Sequence, residues 1–169
     1  LAIIVASWWD RTLVLRAENI LASNRRQNVK DNVLIGKTLT GLKIAADRQA
    51  LLFQTTDGEL VVRVDADCCS YTWVEHIELP ALGFPALVIA VDDLEMPEGK
   101  ESTFHSDADS LVFYGCKIST DRGEIIIDYR NDSNGYYGGS LTWPGECHYG
   151  GVYGQNDSAL EWQDVAAVS

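Results

Sequence analysis

Any metal centre in this chain would have to be built from Cys68, Cys69, His76, Cys147 and His148. Structural zinc sites set paired ligands two to four residues apart on a tight knuckle. Here Cys68-Cys69 and Cys147-His148 are adjacent, and neighbours on an extended chain point to opposite faces. The spacing predicts no metal, with one buried and one partly exposed thiol at Cys68 and Cys69; if a metal binds, these five are its ligands. Asp65 and Asp67 share a strand face and could hold a hard cation, but no Asp-rich loop of calcium spacing accompanies them. Glu75-His76 offers an acid and a base with no nucleophile near in sequence. The chain has no nucleophile elbow, zinc-protease motif or phosphate-binding loop. The expectation is a protein without catalytic residues and without a cofactor.

Binding chemistry is better represented. The 27 residues from Asn131 to Asp157 include seven glycines, four tyrosines, Trp143 and three asparagines. Tyr and Trp supply wide contact area at low entropic cost, and Gly and Asn supply an adaptable backbone, the mixture used by binding loops. The candidate contacts are Tyr136, Tyr137, Trp143, Tyr149 and Tyr153. If a last strand runs from Tyr136 to Trp143, alternation puts Tyr137 and Trp143 on one face and Tyr136 on the other. The competing reading makes the segment a last strand with a Gly-rich tail packed on the body. A second candidate surface is the stretch 92–109, with seven acids against Lys100 alone, read as an exposed loop. Asp92, Asp93 and Glu95 lead it.

These side chains need a scaffold, and the patterning is that of strands. Leu51–Thr56 and Glu59–Val64 flank Asp57-Gly58, which predicts a hairpin with a type I′ turn. Leu60, Val62 and Val64 then face the core, with Arg63, Asp65 and Asp67 opposite. Leu111–Thr120 and Glu124–Arg130 flank Asp121-Arg122-Gly123, a loop that closes with a bulge. Further strands are expected over Lys37–Ala45 and Ala86–Met96. Ser70 as a cap, Glu75, Glu78 and Pro80 suggest a short helix over Tyr71–Leu79. Residues 12–24 fit either helix or strand. No internal repeat of 20–50 residues is visible. The fold class is mainly β, a β-rich α+β domain: a single antiparallel sheet or small sandwich built from hairpins, with one or two short helices.

Composition and charge set the limits. The 169 residues suffice for one domain with a real core. A net charge of −12 repels phosphate backbones, so direct nucleic-acid binding is not expected. Residues 1–30 carry net +3 and the remainder −15, which divides the chain into an N-terminal arm (1–30), a β-rich core domain (31–143) and a Gly/Tyr-rich C-terminal extension packed on it (144–169). The opening apolar run stops at Asp10 after nine residues, too short to span a bilayer and lacking signal-peptide features. Reduced thiols, no membrane association, and residence in a bacterial host cytoplasm or a virion are the matching expectations.

Leu34-Ile35-Gly36-Lys37-Thr38-Leu39, Thr55-Thr56-Asp57-Gly58, Asp67-Cys68-Cys69 with Val74-Glu75-His76-Ile77, and Ser133-Asn134-Gly135-Tyr136-Tyr137 resemble an uncharacterised domain family of bacteriophages and prophages, over roughly residues 33–143. The chain departs from that pattern at Ser70 and His76, where the family commonly has acids. The resemblance implies a phage setting and no site residues. Three functions are consistent with these readings. The first is a non-catalytic accessory protein that binds a host or phage protein through the partner's basic surface, inhibiting a host defence component. The second is a virion or assembly component whose N-terminal arm contacts a neighbouring subunit. The third is a small-molecule binder or enzyme with a pocket in 131–157.

Overall fold

Runs of β-branched and aromatic residues, broken by Gly-containing turns, fold as antiparallel strands in the computed structural model. It describes residues 32–66, 69–96, 110–135, 137–145 and 159–165. The strands are β1 (Thr38–Ala45), β2 (Ala50–Thr55), β3 (Gly58–Ala66), β4 (Tyr71–Glu78), β5 (Ala86–Leu94), β6 (Ser110–Thr120), β7 (Gly123–Ser133), β8 (Gly139–Thr142) and β9 (Trp162–Asp164). They form one open sheet in the order β4-β7-β6-β5-β1-β2-β3-β8, with β9 added to β1. The mainly-β expectation holds. There is no α-helix among the described residues. The unit that contains them begins at Asn32; residues 12–24 lie outside the described residues.

Both hairpins close with the same turn, which is not the type I′ turn expected at Asp57-Gly58. Thr55 pairs with Gly58 and Thr120 with Gly123, so the central residues are Thr56-Asp57 and Asp121-Arg122. None of these four has the positive φ that a type I′ turn demands. The positive φ falls on the closing glycines, 135° at Gly58 and 124° at Gly123. Each turn is held by its first threonine. Thr55 Oγ1 accepts the Asp57 N–H (3.1 Å) and donates to the Gly58 carbonyl (2.8 Å). Thr120 repeats this with the Arg122 N–H (3.1 Å) and the Gly123 carbonyl (2.6 Å). As expected, Val62 and Val64 are buried, and Leu60 packs against the core.

The expected helix over Tyr71–Leu79 is the edge strand β4. A bulge at Glu75 separates the pairs Val74–Tyr129 and His76–Asp128. The extra residue puts Val74 and Ile77 on the core side three positions apart, a spacing that imitates a helix. The Tyr-Thr-Trp-Val run, with its β-branched and aromatic side chains, prefers a pleated surface. The expected last strand is also shorter: only Gly139–Thr142 pair with β3.

The strand order exposes a repeat that lies beyond a 20–50-residue window. β1-β2-β3 and β5-β6-β7 are successive meanders joined through a short β1–β5 pairing. The fourth strand of each is exchanged: β4 follows β3 but pairs with β7, and β8 follows β7 but pairs with β3. The sequence carries the echo. Gly58-Glu59-Leu60-Val61-Val62 answers Gly123-Glu124-Ile125-Ile126-Ile127, and Ser70-Tyr71-Thr72-Trp73 answers Ser140-Leu141-Thr142-Trp143. Both halves fill one core, with Leu39, Leu51 and Val62 from the first and Ile118, Ile125 and Ile127 from the second.

The edges β4 and β8 approach without a ladder between them. Ser70 Oγ donates to the Gly138 carbonyl (3.4 Å), and a Cβ on Gly139 would run into the Thr72 side chain. Arg48, in the β1–β2 turn at φ 60°, ties β4 to the first meander. Its carbonyl accepts the Val74 N–H at 2.9 Å. Its Nη1 donates to the carbonyls of Val74 (3.2 Å) and Glu75 (2.8 Å), the backbone that the bulge displaces.

Candidate binding surface

The acidic stretch starts on the expected Ala86–Met96 strand and not in the loop read over 92–109. Asp92 and Asp93 belong to β5, opposite Lys117 and Cys116 of β6, because the apolar run before them carries the ladder through to Leu94. Both carboxylates are exposed, as is Glu95 just beyond the strand. Residues 97–109 lie outside the described residues.

Behind the carboxylates stands a tyrosine pair. Tyr114 and Tyr129 are cross-strand neighbours whose rings stack at 5.2 Å between centroids and 13° between planes. Burial pushes the Cys116 thiol up to about 12, with the Asp93 and Asp92 carboxylates adding to the rise. Tyr129 is raised for the same reasons, burial first and then the charge of Asp93. Cys116 is therefore a protonated core thiol and not a nucleophile. The end of β5 presses on β6: a Cβ on Gly115 would lie 2.9 Å from the Leu94 carbonyl and from Met96. Gly138 approaches the Tyr114 hydroxyl in the same way, at 3.2 Å. Tyr137, next to it, is exposed.

The other candidates separate. Trp143 is partly buried, its ring 6.0 Å from that of Phe53 in the core cluster. Tyr136, Tyr149 and Tyr153 lie outside the described residues. Of the metal candidates, Cys69 and His76 are exposed, and Cys68, Cys147 and His148 are outside the described residues. No three His, Cys, Asp or Glu side chains converge among the described residues. A cleft beside the Glu75 bulge, lined by Ile44, Arg48, Glu75, His76 and Val165, has about 20 Å³ of room. That admits a water and is far short of a metabolite pocket.

The patterning did not announce a polar layer on the other face of β4 and β7. Arg130 and Trp73 lie opposite each other in the ladder and are almost fully buried. Arg130 binds Asp128 with two hydrogen bonds (Nη2–Oδ2 3.0 Å, Nε–Oδ1 3.4 Å) and lies 4.8 Å from the Phe113 ring centroid. Trp73 Nε1 donates to Glu75 at 2.8 Å. The one signal in sequence was the Asp-x-Arg alternation inside a strand that reads apolar on its other face. The layer spans β4, β6 and β7, and its buried charges are hydrogen-bonded.

Residues 32–143 match the family described as Domain of unknown function (DUF7448). The chain belongs to that family. No curated protein and no solved structure matches it. Among the described residues no helix is long and apolar enough to cross a membrane.

Proposed function

We propose that this protein works by binding, as a non-catalytic accessory protein of a bacteriophage that docks on a basic surface of a host or phage protein. The observation that carries the reading is the exposure of Tyr137 and of the carboxylates of Asp92, Asp93 and Glu95. An aromatic supplies a desolvated anchor, and surrounding carboxylates steer and orient a basic partner. The phage setting comes from the resemblance of the Thr-Thr-Asp-Gly and Ser-Asn-Gly-Tyr-Tyr stretches. The test is affinity capture from bacterial lysate on the immobilised protein, run beside a Tyr137→Ala/Asp92→Lys/Asp93→Lys variant of equal melting temperature. A specific partner should be captured by the wild type, released as salt rises, and missed by the variant. Equal capture by both places the binding surface elsewhere.

A further inference from the structure

Among the described strands the sheet has an opening in its middle. β5 is laddered to β6 from Val88 to Leu94, with a bulge between Val88 and Ala90. On its other side it meets β1 only at Ala86 and Leu87. One more contact follows, where the Val88 N–H donates to the Lys37 carbonyl (2.9 Å) and the Val88 carbonyl accepts the Gly36 N–H (3.0 Å). The chain turns away at residues 33–36, and β1 takes β9 as its next neighbour, at Lys43–Ala45. No described strand lies against that side of β5 between Ala90 and Leu94.

In an antiparallel strand each residue turns its N–H and C=O to one side, and the side alternates. Every second residue of this stretch therefore presents both groups to the open edge. Such an edge is a template for another strand, and proteins commonly guard it with charge. Here the guards are Asp92 and Asp93. They deter pairing with a second copy of a chain whose net charge is −12. The same carboxylates attract a strand bearing lysine or arginine. Ile89 (58% exposed) and Leu87 (41%) flank them with apolar surface at the other end of the strand.

Resting on the acidic-surface reading above, we infer that the open edge of β5 takes up an extended segment of a partner protein as an added strand. The segment carries a basic residue opposite Asp92 and an apolar residue towards Ile89. Main-chain hydrogen bonds give such docking its affinity, and the side chains give it its specificity.

The probe is a capped nine-residue peptide of alternating lysine and valine, read by fluorescence anisotropy on the full chain. Two forms N-methylated at alternate amides go with it, one blocked on each edge. An added strand pairs through one edge, so one methylated form should bind as the parent does. The other should weaken about tenfold or more, having lost one or two backbone hydrogen bonds. Amide exchange within β5 should slow on addition of the parent peptide. If both methylated forms bind like the parent and Asp92→Lys/Asp93→Lys abolishes binding, the peptide docks by charge alone: strand addition is overturned and the acidic surface stands. If the parent does not bind, or binds the charge-reversed variant equally, both readings fall.

Discussion

At the scale of single residues, two side chains have roles that their types alone did not give away. Arg48 looks like an ordinary surface arginine in Asp47-Arg48-Gln49. Its guanidinium instead holds two carbonyls of the β4 bulge, from a backbone at φ 60° that L-residues adopt reluctantly. Arg48→Ala should therefore destabilise by about 2 kcal/mol, the range for hydrogen bonds from a charged donor. Arg48→Gly loses the same bonds but suits the backbone, and should be the milder by about 1 kcal/mol in urea unfolding. The reverse order would mean that the φ carries no strain. Cys116 makes a prediction in pH. Its thiol is raised from 9.0 to about 12 in the folded chain, by burial first and the neighbouring carboxylates second. The unfolded chain releases that proton earlier, so the folded state binds more protons across this window. The contribution is complete below pH 9 and is lost as pH rises through about 12. Stability should decline across that window, less steeply in Cys116→Ala. At pH 8 native alkylation should mark the exposed Cys69 and spare Cys116 until the protein unfolds, read by peptide mass mapping.

At the scale of elements, hairpins were legible because alternation and a turn glycine are local signals. Their inner geometry was not, because Asp-Gly fits two turns that place the positive φ on different residues. In both hairpins here the threonine before the turn bonds its own loop and moves the glycine to the closing position. Gly58→Ala meets no atom within 4 Å, so its cost is backbone strain alone, about 1–3 kcal/mol. Gly123→Ala adds contact with the Ala81 backbone nitrogen at 3.3 Å and should cost more. Thermal melts of the two variants check the order. β4 was misread for a physical reason: its bulge converts a period of two into a spacing of three, and only the partner strand β7 reveals the extra residue. Asp92 and Asp93 fell in two overlapping readings, the Ala86–Met96 strand and the acidic loop 92–109, and the ladder through Leu94 bears out the strand. Tyr137 and the three carboxylates were legible as surface. The Arg130–Asp128 layer was not, since burial of the second face depends on tertiary packing.

At the scale of the whole molecule, exchange of the fourth strands makes each half incomplete without the other. β4 takes its ladder from β7, and β8 takes its ladder from β3, so neither meander closes its own edge. The two ladders are unequal. β4 pairs over seven residues and is further held by Arg48. β8 has four pairs, from Arg63–Thr142 to Ala66–Gly139, and β9 has three. Local opening follows the number of buried contacts and laddered hydrogen bonds that must be given up. The β6–β7 hairpin, with eleven consecutive pairs and both neighbours in place, has the most to give up. Native-state amide exchange should therefore protect Cys116–Ile118 and Ile125–Tyr129 at the global stability. β8 and β9 should open at much lower free energy, and β4 in between. Arg48→Ala should lower the protection of β4 selectively and leave the β6–β7 hairpin exchanging only through global unfolding. If β4 and β8 instead opened together with equal protection, the seam between them would be one cooperative unit and the two halves would not be separable in stability.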